Sequence, residues 1–152
     1  MQLSGKHVVN AIPRIVWEML MDPDTLSRIV PGITRLEKTG DNKFKSILDI
    51  KLGPVQSSFT GNLELSEIQE EKAFVLKVQQ NSKIGNANAV IQISLLPINS
   101  VQTELAFTGD AKLSGMLAGM GQRLIGGVSS TLTKQFFSNL DKELEKVLAK
   151  KS

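Results

Sequence analysis

The chain has 152 residues, 41% of them hydrophobic and 22% charged, with a formal net charge of +3. That composition suits one ordinary globular domain over residues 1–152 and excludes wholesale disorder, a fibrous repeat and a second core. There is no cysteine, which excludes a disulfide framework, thiolate metal centres and a cysteine nucleophile, and the interspersed charges do not favour nucleic acid.

Leu3 to Val9 alternates, with Leu3, Gly5, His7 and Val9 on one face, as a half-buried strand requires. It lacks the basic start and continuous apolar stretch of a secretory signal, so cytoplasmic residence is expected. Pro13 opens a helix of about two turns with an apolar side of Val16, Trp17, Met19 and Leu20, although Ile12 is a poor cap. Asp22-Pro23 opens a second short helix through Leu26, Ile29 and Val30, and Pro31-Gly32 closes it with residues suited to a type II turn.

From Ile33 onward the period is two. Phe44, Leu48, Ile50 and Leu52 oppose Lys43, Lys45, Asp49 and Lys51; after Gly53-Pro54 the apolar register moves to Val55, Phe59, Leu63 and Leu65, with Ser57 and Gly61 on that face. Further alternating runs cover Ala73 to Gln80, Asn86 to Leu96 and Val101 to Gly109, separated by turns near Gly85 and over Pro97-Ile98-Asn99-Ser100. No long helix lies between these runs, so the strands form an antiparallel meander. The apolar run around residues 89–98 is broken by Gln92, Ser94 and Pro97 and falls short of the roughly 20 residues needed to cross a bilayer.

Leu113, Leu117, Met120, Leu124, Val128, Leu132, Phe136, Leu140, Leu144 and Val147 recur at spacings of three and four. This predicts one amphipathic helix of about ten turns lying on the sheet. Lys142, Lys146, Lys150 and Lys151 near its end give a weak attraction to anionic lipid. The predicted fold is α+β: a curved antiparallel sheet of about seven strands wrapped around a long C-terminal helix, with two short helices after the first strand.

Five glycines, Gly115, Gly119, Gly121, Gly126 and Gly127, crowd the front half of that helix. At roughly 1 kcal/mol per interior glycine, they give up several kcal/mol of local helix stability. Close packing on the sheet, room for a ligand, or a helix end that opens as a gate would each account for them. The run from Gly119 to Leu124 lacks the third glycine of a dinucleotide fingerprint, and there is no phosphate loop.

Pro31-Gly32, Gly53-Pro54-Val55, Phe59-Thr60-Gly61, the run from Gly109 through Gly115 into Leu117 to Ile125 with its Gly-Gln-Arg-Leu-Ile core, and Phe136-Phe137 together resemble the CoxG family of carbon monoxide dehydrogenase proteins. The resemblance covers essentially the whole chain and implies the START-like helix-grip fold with an apolar cavity between helix and sheet. It further implies an accessory role beside molybdenum-containing hydroxylases of the carbon monoxide dehydrogenase type, concerned with membrane attachment or with lipophilic quinones. Many relatives carry a membrane-binding tail beyond the helix; this chain ends at Ser152, so at most a peripheral contact with the inner face of the membrane is expected.

His7 is the lone histidine and there is no tyrosine, so acid–base chemistry has few candidates. His7 is expected to be a hydrogen-bonded structural residue, Arg123 a solvated charge, and Glu64, Glu67, Glu70 and Glu71 solvated surface; no catalytic residue, metal or cofactor is expected. The predicted ligand-lining set is Phe44, Leu48, Phe59, Phe107, Leu117, Met120 and Leu124, around an apolar small molecule, and the five glycines are the predicted gate. Two other functions fit the same fold: an enzyme of the polyketide cyclase or aromatase kind, and a docking or assembly factor needing no ligand.

Overall fold

The computed structural model describes residues 1–151; Ser152 and the side chain of Lys151, one of the four lysines above, lie outside the described residues. The elements are β1 (Gln2–Val9), α1 (Pro13–Leu20), α2 (Pro23–Ile29), β2 (Ile33–Gly40), β3 (Lys43–Leu52), β4 (Val55–Gln69), β5 (Ala73–Ser82), β6 (Gly85–Pro97), β7 (Thr103–Leu113), α3 (Met116–Gly119) and α4 (Gln122–Lys151). The strands form one antiparallel sheet in the order β1-β7-β6-β5-β4-β3-β2. Strands β2 to β7 pair as successive hairpins, and β1 returns to pair with β7, with Gly5 opposite Phe107 and Val9 opposite Thr103. This is the helix-grip architecture read from the sequence.

Local chemistry sets the boundaries. Both short helices begin on a proline, whose missing N–H is harmless in a first turn. Ile12 makes no capping bond, as its side chain dictates, and Asp22 accepts instead from the Thr25 hydroxyl at 2.7 Å. After α2 the chain reverses through Gly32 (φ +79°), whose carbonyl accepts from the Asp49 N–H at 2.8 Å. A Cβ there would strike the Asp49 carbonyl, so the turn holds β3 against its own glycine.

The single long helix expected from Leu113 onward is corrected at its front. Leu113 is the last residue of β7, paired with Ala87. Helix begins at Met116, lasts one turn, and restarts at Gln122. Gly115 (φ +67°) and Gly121 (φ +86°) stand in the left-handed region and interrupt the right-handed backbone on both sides of α3. Gly115 is thus a crossing point outside any helix. A Cβ on Gly85 would meet the Ser114 carbonyl, while Ser114 N–H donates to Asn86 O at 3.0 Å and Leu117 N–H to Ile84 O at 2.9 Å, fastening α3 to the β5–β6 turn.

The interior divides in two. At one end, Val9, Val16, Trp17, Met19, Leu20, Ile29, Phe74, Leu95, Leu105, Phe137, Leu140 and Leu144 pack into one core that joins α1, α2 and the far half of α4 to the sheet. Trp17 meets Phe74 edge-on at 5.6 Å in this core, away from the cavity described below. The buried Glu143 accepts from Arg28 Nε at 3.1 Å and lies 3.4 Å from Lys146 Nζ, and Asn139 donates to the Ile29 carbonyl at 3.0 Å, which fixes α4 to α2. Burial raises the Glu143 carboxyl pKa, but the hydrogen bond and charge of Arg28, with Lys146, outweigh it and hold the group below its usual value. At the other end a smaller cluster of Leu52, Phe59 and Leu117 gathers half-buried neighbours from β3, α3 and the front of α4.

Candidate functional site

Between α4 and the concave face of the sheet lies a cavity of about 410 Å³, within the range of small-molecule sites. Its floor follows from strand alternation. Leu48, Ile50 and Leu52 of β3, Phe59 of β4, Ile91 and Ile93 of β6, and Leu105, Phe107, Ala111 and Leu113 of β7 all point inward. Its roof is Leu117 of α3 with Ile125, Val128, Ser129, Leu132, Thr133, Phe136 and Phe137 of α4. Gly5 of β1 leaves the space that the Phe107 ring fills, and that ring stands 6.3 Å from Phe137.

Of the seven lining residues predicted from the sequence, Leu48, Phe59, Phe107 and Leu117 come together around this cavity. Met120 and Leu124 instead line an adjoining groove of about 720 Å³ with Lys51, Arg123, Gly127 and Thr131. The break at Gly121 redirects the chain after α3, so the straight helical stripe that would have aimed both inward does not exist there. Phe44 is buried on the inward face of β3, opposite Leu63, but beyond the cavity wall.

The glycines separate into three kinds. Gly115 is a crowded crossing point, Gly121 is the left-handed joint, and Gly119, Gly126 and Gly127 have open space where a Cβ would stand. Gly53 (φ +60°), in the β3–β4 turn, faces the Leu124 side chain and marks where α4 meets the sheet rim.

The feature that sequence reasoning missed is polar. Ser46, Gly61 and Gln80 are register neighbours across β3, β4 and β5. Ser46 is 1% and Gln80 4% exposed, and Gln80 Nε2 donates to Ser46 Oγ at 3.1 Å above the bare Gly61 backbone. Gln80 lines the cavity, and its Oε1 has no hydrogen-bond partner. An amide oxygen shut away unpaired costs about 1–3 kcal/mol. The signal was in the alternation: Phe74, Leu76, Val78 and Gln80 share one face of β5, as Phe44, Ser46 and Leu48 share one face of β3.

No Asp, Glu, His, Lys or Arg side chain lines the cavity; Gln80, Ser129 and Thr133 are its only polar lining side chains among the described residues. His7 stacks on Phe137 at 4.7 Å, and its Nε2 stands 2.9 Å from both carboxylate oxygens of Asp141. That bond joins β1 to α4, a structural role of the kind expected for this residue. No described helix is long and apolar enough to cross a membrane.

A conserved protein from Geobacillus kaustophilus, whose crystal structure is solved, is similar over 96% of each chain at 33% identity, with a TM-score of 0.92. The Zhui aromatase/cyclase from Streptomyces sp. R1128 is similar in structure, with 13% identity, a TM-score of 0.74, and 97% of this chain and 95% of that one covered. So is a START superfamily protein from Mycobacterium smegmatis, at 11% identity and TM-score 0.74, covering 96% and 98%. At those identities the last two speak for the fold alone. No curated protein matches the sequence. The carbon monoxide dehydrogenase CoxG family matches over residues 5–145, and with seven antiparallel strands gripping α4 behind that match, the chain belongs to this family.

Proposed function

We propose that this protein is a non-catalytic carrier that holds a lipophilic small molecule, of the quinone kind, between α4 and the sheet. It serves as an accessory to a molybdenum hydroxylase of the carbon monoxide dehydrogenase type, in the cytoplasm and in peripheral contact with the inner face of the membrane. The observation that carries this reading is the cavity: about 410 Å³ of space walled almost wholly by aliphatic and aromatic side chains, in a chain of the CoxG family. Burying apolar ligand surface there is favourable by about 25 cal/mol per Å². The lining supplies no group able to exchange protons near neutral pH, which weighs against the cyclase reading.

Native mass spectrometry with lipid extraction of protein purified from its own host, together with a titration against menadione, tests the carrier. Expected are a stoichiometric lipophile or saturable menadione binding that Leu132→Trp, which fills the cavity from its roof, abolishes without unfolding the protein. A purified protein that carries no lipophile and takes up no menadione would overturn the reading.

A further inference from the structure

We propose that Gln80 determines which lipophiles the cavity keeps, by accepting a hydrogen bond from a ligand hydroxyl, so that phenols, alcohols and quinols are held in preference to ethers, quinones and hydrocarbons of the same shape. The proposal rests on the reading of the cavity as a lipophile site. Its basis is an amide secured at one end only. Gln80 Nε2 is engaged by Ser46 Oγ at 3.1 Å, while Oε1 is buried without a partner in a residue that lines the cavity.

The surroundings give that oxygen little else to bind. Gly61 lies between the two side chains in the register, and a Cβ there would collide with the Gln79 carbonyl, so bare backbone runs beneath the pair. On the other side the same register row continues through Ala87 and Leu113, both apolar and both lining the cavity. The amide therefore faces apolar neighbours and the empty space. The terminal torsion of glutamine is soft, and a small rotation turns Oε1 toward a ligand.

Discrimination falls to this atom because of what it cannot do. Ser129 and Thr133, the other polar side chains of the lining, carry hydroxyls that rotate to donate or accept and so tolerate either partner. A carbonyl oxygen only accepts. A quinol has two hydroxyl donors and the corresponding quinone has none, so the reduced form is the one that satisfies Gln80.

Three probes of one shape decide the matter: 2-naphthol, 2-methoxynaphthalene and naphthalene, titrated by fluorescence into the wild type and into Gln80→Met, which keeps length and removes the amide. The wild type is expected to bind 2-naphthol about tenfold more tightly, relative to 2-methoxynaphthalene, than Gln80→Met does, the equivalent of about 1.4 kcal/mol. In the wild type the Gln80 side-chain amide resonances should shift with 2-naphthol and stay in place with the ether, a readout that survives even if the variant folds poorly. An unchanged ratio, or resonances that ignore both probes, overturns the role of Gln80 while binding of all three probes leaves the carrier standing. A Gln80-dependent preference for the ether would show that the amide presents its N–H and also overturns the proposal. Failure of all three to bind the wild type overturns carrier and anchor together.

Discussion

The two halves of α4 lie on the same sheet and differ in nearly every physical respect. From Gln122 to Phe136 no residue is fully buried, whereas Phe137, Leu140, Glu143 and Leu144 are. The far half is held by Arg28, Asn139 and the His7–Asp141 bond against α1, α2 and β1; the front half contains Gly126 and Gly127, roofs the cavity, and starts from a left-handed joint. Stability is concentrated at one end, so the other can remain hollow. A domain with a few kcal/mol to spare tolerates a void when it is placed away from the packing that sustains the fold.

The sharpest way to break this contrast is a pair of truncations. Leu140 is 0% exposed, and Leu140→Ala should cost about 3–5 kcal/mol, while Leu132→Ala, on a wall that already borders empty space, should cost about 1 kcal/mol or less. Equal shifts in chemical denaturation would mean that the cavity is no softer than the core.

A second test is electrostatic. Arg28→Ala leaves the Glu143 carboxylate buried with only Lys146 beside it and should cost about 1–2 kcal/mol, less than a fully buried pair because Arg28 is itself half exposed. Because the folded carboxyl titrates below its unfolded value, its contribution is complete above the usual glutamate pKa of about 4.3 and is lost as pH falls through the lower folded one. The wild type and Arg28→Ala should therefore converge in stability in that acid range. A difference that stays constant from neutral pH down through that range would remove the ion pair from the account.

The smallest effects sharpen the gate reading of the glycines. Gly126→Ala meets open space in a helical backbone and should stabilise by about 0.5–1 kcal/mol, while Gly121→Ala, at φ +86°, should destabilise by about 1 kcal/mol. Amide exchange should be faster from Met116 to Gly127 than from Thr131 to Val147, with the gap narrowing when 2-naphthol is bound. Uniform protection, unaffected by the probe, would make Gly126 and Gly127 a matter of packing alone.

The strands, their inward faces and the proline-led helices were legible because alternation and proline chemistry act locally. The failure at Leu113 shows where periodicity is ambiguous: Leu113 stands four residues from Leu117, as a helix would have it, and also ends the odd-numbered inward series Leu105, Phe107, Gly109, Ala111. Both templates fit that leucine, and only the backbone sign at Gly115 separates them. Met120 and Leu124 were displaced for the same reason. Gln80 escaped notice because its meaning depends on Ser46, 34 positions away, a contact that strand register creates and no local pattern announces.

The order of the elements also has a consequence for how the chain is made. Hairpins β2 to β7 join neighbours in sequence and can form as they emerge, but the bonds that seat α4 span 134 residues from His7 to Asp141 and 115 from Arg28 to Glu143. Local pairings form early and distant ones late. At a synthesis rate of 5–20 residues per second, the 30 residues of α4 take about 1.5–6 seconds to translate. Through that interval the concave face, with Phe59, Ile91 and Phe107 upon it, has no roof. The newborn sheet is an open dish, and whatever apolar molecule settles in it first is already inside when the helix closes over.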